Sequence, residues 1–559
     1  MPRVAVLGGG VAGLTAADEL SQRHFEVHVF ERRDQLGGKA RSFPSTPIGD
    51  LGRFPAEHGF RFIPGFYKHL PDTMGKIPYG GHSTVEANLV EARYLALLRT
   101  DEHETVLPSS AWGFLDPGQT RLSFARHPFR ENLGLNHEDL IFLTEKLVGL
   151  MSMSHERRLM EIEKIPWWQY CEAESPERSA GYPMMMRAMT QSLVAARAKE
   201  ISARTGGDIL IQLQLAEDRF GGHPDRLLNG PTSDVWIEPW RQKLTSAGVI
   251  FRLDHEVTGF ELDGQQLRSV TMATASGPRV LDDYDWYVCA LPVEIVQGLV
   301  DDNLKAAAPS LANLDKLCTR WMNGFMLYLR HNFDMVGGHT IYVDSPWALT
   351  SVSQVQFWKS DHLAWRIPGL IDGILSIDIS NWDTPGLHVP KMARECTSEE
   401  IKQEVLGELR DYSQGSPWAT YLADENIAGY FVDPDIVQPN PDGAHVNLEP
   451  LLINTADSWA SRPDSRTEVD NLFLAADYVR TYTDLATMEG ANEAARRAVN
   501  HILEAAGSKH HWCELWPLHE PSIFAYKRHL DGLKFEQAEE KQFAKAKDML
   551  KALYAAHSR

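Results

Sequence analysis

The feature that most restricts the fold of this 559-residue chain is a glycine pattern close to its amino terminus, within RVAVLGGGVAGLTAADEL. The apolar run before the glycines predicts a parallel strand buried on both faces, and the residues after them predict an amphipathic helix. A second predicted strand, FEVHVFE, follows and ends in Glu31, whose carboxylate is placed to accept hydrogen bonds from ribose hydroxyls. Strand, helix and strand close within about 30 residues, which is the spacing of a dinucleotide-binding βαβ unit.

Three glycines at the turn, Gly8, Gly10 and Gly13, spell G-x-G-x-x-G, and each has a predicted role. Gly8 makes the tight turn, Gly10 lets the backbone approach a pyrophosphate, and Gly13 lets the helix pack closely against the strands. The pyrophosphate would meet free N–H groups at the start of the helix, around Val11 and Ala12.

A second glycine pair indicates which dinucleotide is bound. The stretch ERRDQLGGKARSF places Gly37 and Gly38 just past the second strand, with Arg32 before the pair and Lys39 and Arg41 after it. An NAD-binding domain needs no such element. The sequence resembles the FAD proteins of the amine oxidase and carotenoid desaturase superfamily, which carry it. The resemblance implies FAD, with these cations beside its phosphates.

Further blocks extend the resemblance from residue 3 to about residue 505. The lysine after the glycine pair and the segment AEHGFRFIPGFYKHLPDTM resemble the plant and cyanobacterial type of carotenoid desaturase. The resemblance implies cofactor contacts from Gly59, Phe60 and Arg61 in that segment. It also implies a contact from Val257, in VTGFELDG, near the adenine.

The closing block, NLFLAADYVRT followed by TMEGANEAARRA, is similar to the last cofactor motif of the family. Thr487 is a predicted helix N-cap, with Met488 and Glu489 in the first turn. The resemblance implies that Asp477 and this helix start face the flavin, where the helix dipole would stabilise developing negative charge. Because no cysteine lies between Asp477 and Ala498, we expect FAD to be bound noncovalently.

The positions of these motifs predict an α/β fold with a Rossmann-type FAD-binding domain built from three discontinuous segments, together with an α+β substrate domain. The expected boundaries are 1–90, 225–300 and 445–506 for the FAD-binding domain, 91–224 and 301–444 for the substrate-binding domain, and 507–559 for a C-terminal helical extension.

Aromatic residues cluster in two stretches of the expected substrate domain, TRWMNGFMLYLR and SQVQFWKSDHLAW. Five of them are candidates for walls of a substrate pocket: Trp321, Phe325, Tyr328, Phe357 and Trp358. No spacing typical of a Ser-His-Asp or Cys-His arrangement is present, so the sequence identifies no catalytic residue.

The overall charge is strongly negative, with 55 lysines and arginines against 76 aspartates and glutamates and a net charge of −21. This balance argues against a nucleic-acid partner. The five cysteines are scattered and odd in number, which favours a reducing cytoplasm. We expect no metal site, because no cluster has metal-ligand spacing, and no run of about 18 apolar residues predicts a membrane-spanning helix.

The C-terminal segment KQFAKAKDMLKALYAAHSR lies outside the resemblance and predicts an amphipathic helix with basic flanks. Its apolar face would dock on the acidic body of the protein or on a second subunit in a homo-oligomer. A second interpretation is a helix that lies at a membrane surface, which would make the protein peripherally membrane-associated.

Three functions fit the sequence. The first is an FAD-dependent desaturase that removes hydride from a C–C bond of a long apolar, isoprenoid or carotenoid-like substrate and passes electrons to a quinone or oxygen. The second is an oxidase of amines or amino acids on the same fold. The third is a redox-neutral isomerase, or a flavin-binding subunit without turnover.

Overall fold

The structure is a computed structural model that describes residues 1–100, 104–108, 133–192, 196–215, 224–438, 445–539 and 541. The α-helices are α1 Val11–Ser21, α2 His69–Gly75, α3 His137–Ser152, α4 His155–Met160, α5 Trp167–Tyr170, α6 Gly181–Arg187, α7 Ala203–Leu215, α8 Glu238–Ser246, α9 Val293–Leu299, α10 Asp302–Ala307, α11 Ser398–Ser413, α12 Met488–Ala505 and α13 525–539.

The strands are β1 Arg3–Leu7, β2 Glu26–Phe30, β3 Ser42–Pro44, β4 Pro55–Glu57, β5 Phe62–Ile63, β6 Pro78–Tyr79, β7 Ser83–Thr84, β8 Leu89–Glu91, β9 Tyr94–Leu98, β10 Thr105–Pro108, β11 Arg226–Leu228, β12 Ile250–Arg252, β13 His255–Asp263, β14 Gln266–Thr274, β15 Arg279–Leu281, β16 Trp286–Cys289, β17 Cys318–Arg320, β18 Asn323–Leu329, β19 Gly338–Tyr342, β20 Leu349–Ser353, β21 Gly373–Ile379, β22 Ile427–Val432, β23 Ile436–Val437, β24 Val446–Asn447, β25 Leu451–Ile453 and β26 Leu472–Leu474.

A five-stranded parallel sheet, in the order β12-β2-β1-β16-β26, holds the predicted βαβ unit at its centre. Along β1, Val4 and Val6 point to one core while Ala5 and Leu7 point to another, as expected for a strand buried on both faces. Helices α1, α8 and α12 cover the first face, and the antiparallel sheet β13–β15 covers the second with α9. The strands of the five-stranded parallel sheet come from three separated parts of the chain, which confirms the Rossmann-type α/β prediction.

A seven-stranded sheet, in the order β10-β9-β19-β20-β21-β18-β22, forms the second layer system. Its pairs are antiparallel except β9 with β19. Helix α11 covers one face through apolar residues such as Val405 and Leu409. A helical region made by residues 133–192 and 196–215 packs beside the other face. Sheet and separate helices together give the expected α+β unit.

The described part of the C-terminal extension packs on the body. Residues 508–520, which we name the strap, are held by hydrogen bonds such as Trp516 N to His69 Nε2 at 3.0 Å and His519 N to Gln212 Oε1 at 3.0 Å. The predicted basic amphipathic helix at the C-terminus lies outside the described residues apart from Lys541. Among the residues that the structure describes, no helix is long and apolar enough to cross a membrane.

Candidate active site

A cavity of about 360 Å³ lies between the parallel sheet and the seven-stranded sheet. Its walls include the carboxyl ends of β1, β2 and β16, the starts of α1 and α12, and residues from α7, β19, β20 and β21. Ligands of open α/β sheets bind in the crevice outside the carboxyl ends of the strands. The cavity therefore occupies the position that the sequence predicts for a dinucleotide.

The three glycines of the turn have different neighbours, and the differences match their predicted roles. Gly8 has φ +109°, and a Cβ there would lie 2.7 Å from the carbonyl oxygen of Ala290. A Cβ on Gly13 would lie 1.9 Å from the oxygen of Gly8, so helix and turn touch directly. At Gly10 a Cβ would meet no atom closer than 3.7 Å. Gly10 is thus open toward the cavity, where a ligand would approach the backbone.

The start of α1 faces the same space, and within the described part of the chain its N-cap makes no side-chain hydrogen bond to the helix. The N-cap, Gly10, has no side chain to bond the first N–H groups of the helix, and no acidic residue stands in the first turn. Val11 and Ala12 line the cavity. Free N–H groups and the positive end of a helix dipole bind anions such as a pyrophosphate.

Glu31 lines the cavity and is largely buried. Its Oε2 accepts a hydrogen bond from Gly9 N at 2.7 Å, and its Oε1 accepts one from Arg33 N at 3.0 Å. Each carboxylate oxygen can accept more than one hydrogen bond, so ribose hydroxyls can still be bound. Sequence reasoning missed the first of these contacts, by which Glu31 also fixes the glycine turn.

The second glycine pair lies beside the first turn. Gly37 N donates to Gly9 O at 2.9 Å, and both Gly37 and Gly38 line the cavity. Lys39 also lines it, with its ammonium paired to Glu294 at 2.8 Å.

The basic residues around this pair are engaged by acids from a distant segment. Arg32 lines the cavity and lies 3.2 Å from Glu449. Arg41 does not line the cavity, because its guanidinium donates to Asp435 at 2.7 Å and to Glu449 at 3.1 Å. Burial raises the pKa of Glu449, but Arg41 and Arg33 outweigh it and lower that pKa to about 2. The structure therefore assigns Arg41 to a buried ion-pair network and not to the cavity.

The closing helix, α12, begins directly after the predicted N-cap residue. Thr487 is its N-cap, with Oγ1 accepting from Gly490 N at 3.1 Å, and Thr487, Met488 and Asp477 line the cavity. Glu489 does not. Its carboxylate accepts hydrogen bonds of 2.8 Å from the backbone N–H groups of residues 68–70 and from His69 Nδ1. Glu489 thus binds the start of α2 instead of facing the cavity.

Four further predicted cofactor residues, Gly59, Phe60, Arg61 and Val257, line the cavity. Arg61 Nη2 donates to Lys39 O at 2.8 Å and its Nε donates to Ala40 O at 3.2 Å. Burial lowers the pKa of Arg61, and the charge of Glu57 opposes this. Arg61 thus binds the backbone that follows the second glycine pair and lines the cavity beside it.

None of the five predicted pocket aromatics, Trp321, Phe325, Tyr328, Phe357 and Trp358, lines the cavity. Strand β18 is buried on both faces, so its aromatics belong to two cores. Phe325 stacks on Tyr430 in the core under α11, and Tyr328 donates its hydroxyl to Pro55 O at 3.0 Å in the opposite core. Trp321 packs against Trp382, and Phe357 and Trp358 belong to the same core as Tyr328.

The cavity is also lined by apolar residues that sequence reasoning missed. They come from segments far apart in the chain: Phe62, Phe66, Ile209, Leu213, Met322 and Leu485. Met322 stands immediately before β18, in the aromatic-rich stretch TRWMNGFMLYLR. The remaining residues carry no local signal that relates them to one another.

Three polar residues, His339, Thr350 and Asp378, line the cavity and were also missed. Burial lowers the pKa of His339 to about 3. Burial raises the pKa of Asp378 to about 7, against the charge of Arg61 and a hydrogen bond from the Phe60 backbone. An acid in the otherwise uncharged strand GILSIDI was the available signal for Asp378.

Two curated relatives match parts of the chain. A carotenoid phi-ring synthase from Chlorobaculum tepidum is 42% identical over 276 residues, which are 47% of this chain and 40% of that protein. A flavin-dependent L-tryptophan oxidase from Lentzea aerocolonigenes is 32% identical over 120 residues, which are 19% of this chain and 25% of that protein. The chain therefore matches less than half the length of either relative.

The fold itself is shared with solved structures. Cyclohexylamine oxidase from Brevibacterium oxydans superposes with a TM-score of 0.59 at 15% sequence identity, over 90% of this chain and 99% of that chain. The family model for flavin containing amine oxidoreductases matches residues 11–503. The open space at Gly10 and the free helix start fit the pyrophosphate of a dinucleotide. The chain belongs to the family of flavin containing amine oxidoreductases, and its cofactor is FAD.

Proposed function

We propose that the protein is an FAD-dependent oxidoreductase that removes hydride from a C–C bond of a long apolar, isoprenoid-like substrate and leaves a double bond. The observation that carries this proposal is the group of apolar side chains in the cavity wall. Phe62, Phe66, Ile209, Leu213 and Met322 present hydrocarbon to the substrate space. Burying an apolar chain against such residues is favourable, whereas burying an unpaired ammonium there is costly.

Bound FAD supplies the acceptor for the two electrons, and the protein supplies orientation and a water-poor space. The residues around Thr487 and Met488 would hold the flavin through the N-terminal end of α12. Gly59, Phe60 and Arg61 would lie along the cofactor on the side that faces the seven-stranded sheet. The partial identity to a carotenoid phi-ring synthase supports a substrate of the carotenoid class.

An amine or amino-acid oxidase is the second candidate. Phe60, Phe62, Phe66 and Tyr67 line the cavity, and aromatic faces can bind an ammonium group. The partial identity to an L-tryptophan oxidase supports this alternative.

Anaerobic reduction of the bound flavin tests both candidates. Purified holoprotein is mixed with a panel of isoprenoids dispersed in detergent and, separately, with a panel of amines and amino acids, while the visible flavin absorbance is followed. We expect bleaching by at least one isoprenoid and not by amines, followed by reoxidation with a quinone or with oxygen. Bleaching by amines alone, with hydrogen peroxide released in air, would establish the oxidase instead. A substrate that is isomerised without bleaching would indicate a redox-neutral reaction.

A further inference from the structure

One face of the seven-stranded sheet carries a row of polar side chains. Thr350 on β20 is the direct partner of Asp378 on β21, and Ile341 on β19 is the partner of Thr350. His339 stands two residues before Ile341 and therefore points to the same face. The row of His339, Thr350 and Asp378 opens into the cavity. Directly opposite partners of an antiparallel pair share one face of the sheet, so this row follows from the register alone.

The three side chains are buried, yet they have polar atoms without a hydrogen-bond partner in the described part of the protein. These atoms are Asp378 Oδ1, Thr350 Oγ1 and both ring nitrogens of His339. Buried polar atoms are normally hydrogen-bonded, and exceptions that gather at one cavity call for an explanation. All three residues line the cavity, so these unpartnered atoms lie in its wall.

Asp378 differs from the other acids that line the cavity. Glu31, Glu294 and Glu449 are held by backbone N–H groups or by cations. Glu256 and Asp477 lie on segments of the parallel-sheet side. Among the acids that line the cavity, Asp378 alone lies on a strand of the seven-stranded sheet.

The carboxylate of Asp378 also lies directly beside the predicted cofactor segment. A Cβ on Gly59 would stand 2.9 Å from Asp378 Oδ1. A side chain at position 59 would therefore clash with this oxygen, and glycine avoids the clash. Both residues line the cavity. The carboxylate of Asp378 thus lies against the predicted cofactor segment, in the wall of the cavity that both residues line.

We propose that Asp378 is a catalytic residue that takes a proton from the substrate. This rests on the proposed function, in which two hydrogens leave adjacent carbons. One C–H bond breaks with its electron pair, which leaves as hydride for FAD. The other C–H bond gives its proton to the Asp378 carboxylate, and its electron pair becomes the new π bond. The substrate is oxidised by two electrons, and the carboxylate becomes a neutral acid.

The surroundings of Asp378 suit a base that works near neutral pH. Burial raises its pKa to about 7, the charges of Glu57 and Asp433 act in the same direction, and Arg61 and the Phe60 N–H oppose them. His339 on the same face, with a pKa of about 3, is neutral at that pH and adds no charge. General bases are most effective when their pKa lies close to the working pH.

The test compares D378N with S376A, both as holoproteins. Ser376 lies two residues earlier on β21 and points to the same face, with a buried hydroxyl that lacks a partner, but it does not line the cavity. Both variants should keep FAD and be reduced by dithionite as the parent is. With the substrate that bleaches the parent, D378N should be about 100-fold slower or more, while S376A should match the parent. The rate of the parent should rise with pH through about pH 7, and D378N should lose that step.

A second measurement needs no substrate. Infrared difference spectra of the holoprotein should show a carboxyl group that ionises between about pH 6 and pH 8, absent from D378N and present in S376A. If amines bleach the flavin and no isoprenoid does, the proposed function is wrong. The rates of D378N and S376A are then compared with the bleaching amine as the substrate. A D378N rate within twofold of the parent would overturn the proposal, as would a spectrum without that titrating carboxyl.

Discussion

The two sheets that enclose the cavity contribute to it in opposite ways. From the parallel sheet, the site is built by residues that are neighbours in sequence: Gly8 to Ala12 at the first turn, Gly37 to Lys39 at the second, and Thr487 to Met488 at the closing helix. From the seven-stranded sheet, the site is built by single residues, His339, Thr350 and Asp378, which strand pairing brings together. The first kind of site is encoded locally, and the second depends on register.

This difference explains why Gly8, Gly10, Gly37 and Gly38 line the cavity whereas none of the five predicted aromatic residues does. A turn between strand and helix is fixed by a few backbone conformations, so a short motif specifies it. A strand such as β18, buried along its whole length on both faces, gives no alternation that shows which side faces a ligand. Aromatic residues there fill cores as readily as pockets.

The largest expected effect tests the seven-stranded sheet. Phe325→Ala removes a fully buried ring from the core under α11 and should lower the free energy of unfolding by about 3–5 kcal/mol. Urea unfolding followed by circular dichroism measures this. FAD content should stay near that of the parent if the variant is folded, because Phe325 does not line the cavity.

Met322→Ala is the matched control for Phe325→Ala. Met322 lines the cavity and is only partly buried, so truncation should cost less stability and should change the substrates that bleach the flavin. The opposite pattern is an altered substrate range in Phe325→Ala and an unchanged range in Met322→Ala. It would show that Phe325, and not Met322, contacts the substrate.

The next prediction separates the two roles of glycine in the first turn. Gly13→Ala would place a Cβ 1.9 Å from Gly8 O and should destabilise the fold by about 1–3 kcal/mol or more, with or without FAD. Gly10→Val should keep the stability of the apoprotein, because φ is −77° there and no atom lies within 3.7 Å of the added Cβ. Its side chain would instead enter the cavity and should weaken FAD binding about tenfold or more.

Thermal unfolding of both apoproteins and FAD titration of both variants measure the contrast. Normal FAD affinity in Gly10→Val would mean that the pyrophosphate does not approach this backbone. An unchanged melting temperature in Gly13→Ala would mean that the helix and the turn are less closely packed than the structure has them.

Much of the fold was predictable from the sequence, but the partners of charged residues were not. The βαβ unit, the N-cap at Thr487 and the three-part parallel sheet follow from apolar periodicity and turn residues. Arg41 was expected near phosphates, but Asp435 and Glu449, which hold it, stand 394 and 408 residues later. Residue type and local spacing carry no information about such distant partners.

The last prediction concerns Glu489, the other residue whose partners are remote. Its carboxylate binds the N–H groups of residues 68–70 and His69 Nδ1, so it joins α12 to the start of α2. His69 Nε2 accepts from the Trp516 N–H of the strap, which requires the ring proton on Nδ1, facing Glu489. Glu489→Gln removes the charge and should lower the free energy of unfolding by about 1–3 kcal/mol at pH 7.

The pH dependence distinguishes this role from simple helix capping. Burial would raise the pKa of Glu489, but the hydrogen bonds from His69 Nδ1 and from the backbone N–H groups of Leu70 and Lys68 outweigh it and lower the pKa. An acid whose pKa is lower in the folded protein contributes stability above its ordinary pKa, about 4.5, and loses it as pH falls through the folded value. The difference between parent and Glu489→Gln should therefore be full at pH 7 and shrink below about pH 4.5.

Thr487→Ala, which removes the N-cap hydroxyl of the same helix, should cost about 1 kcal/mol. Since a hydroxyl does not titrate in this range, that cost should be the same at every pH where the protein stays folded. Urea unfolding of the three proteins from pH 7 down to pH 4 measures both costs. An equal cost of Glu489→Gln at both ends of that range would show that Glu489 acts by its shape, and its charge would then have no part in joining the closing helix to α2.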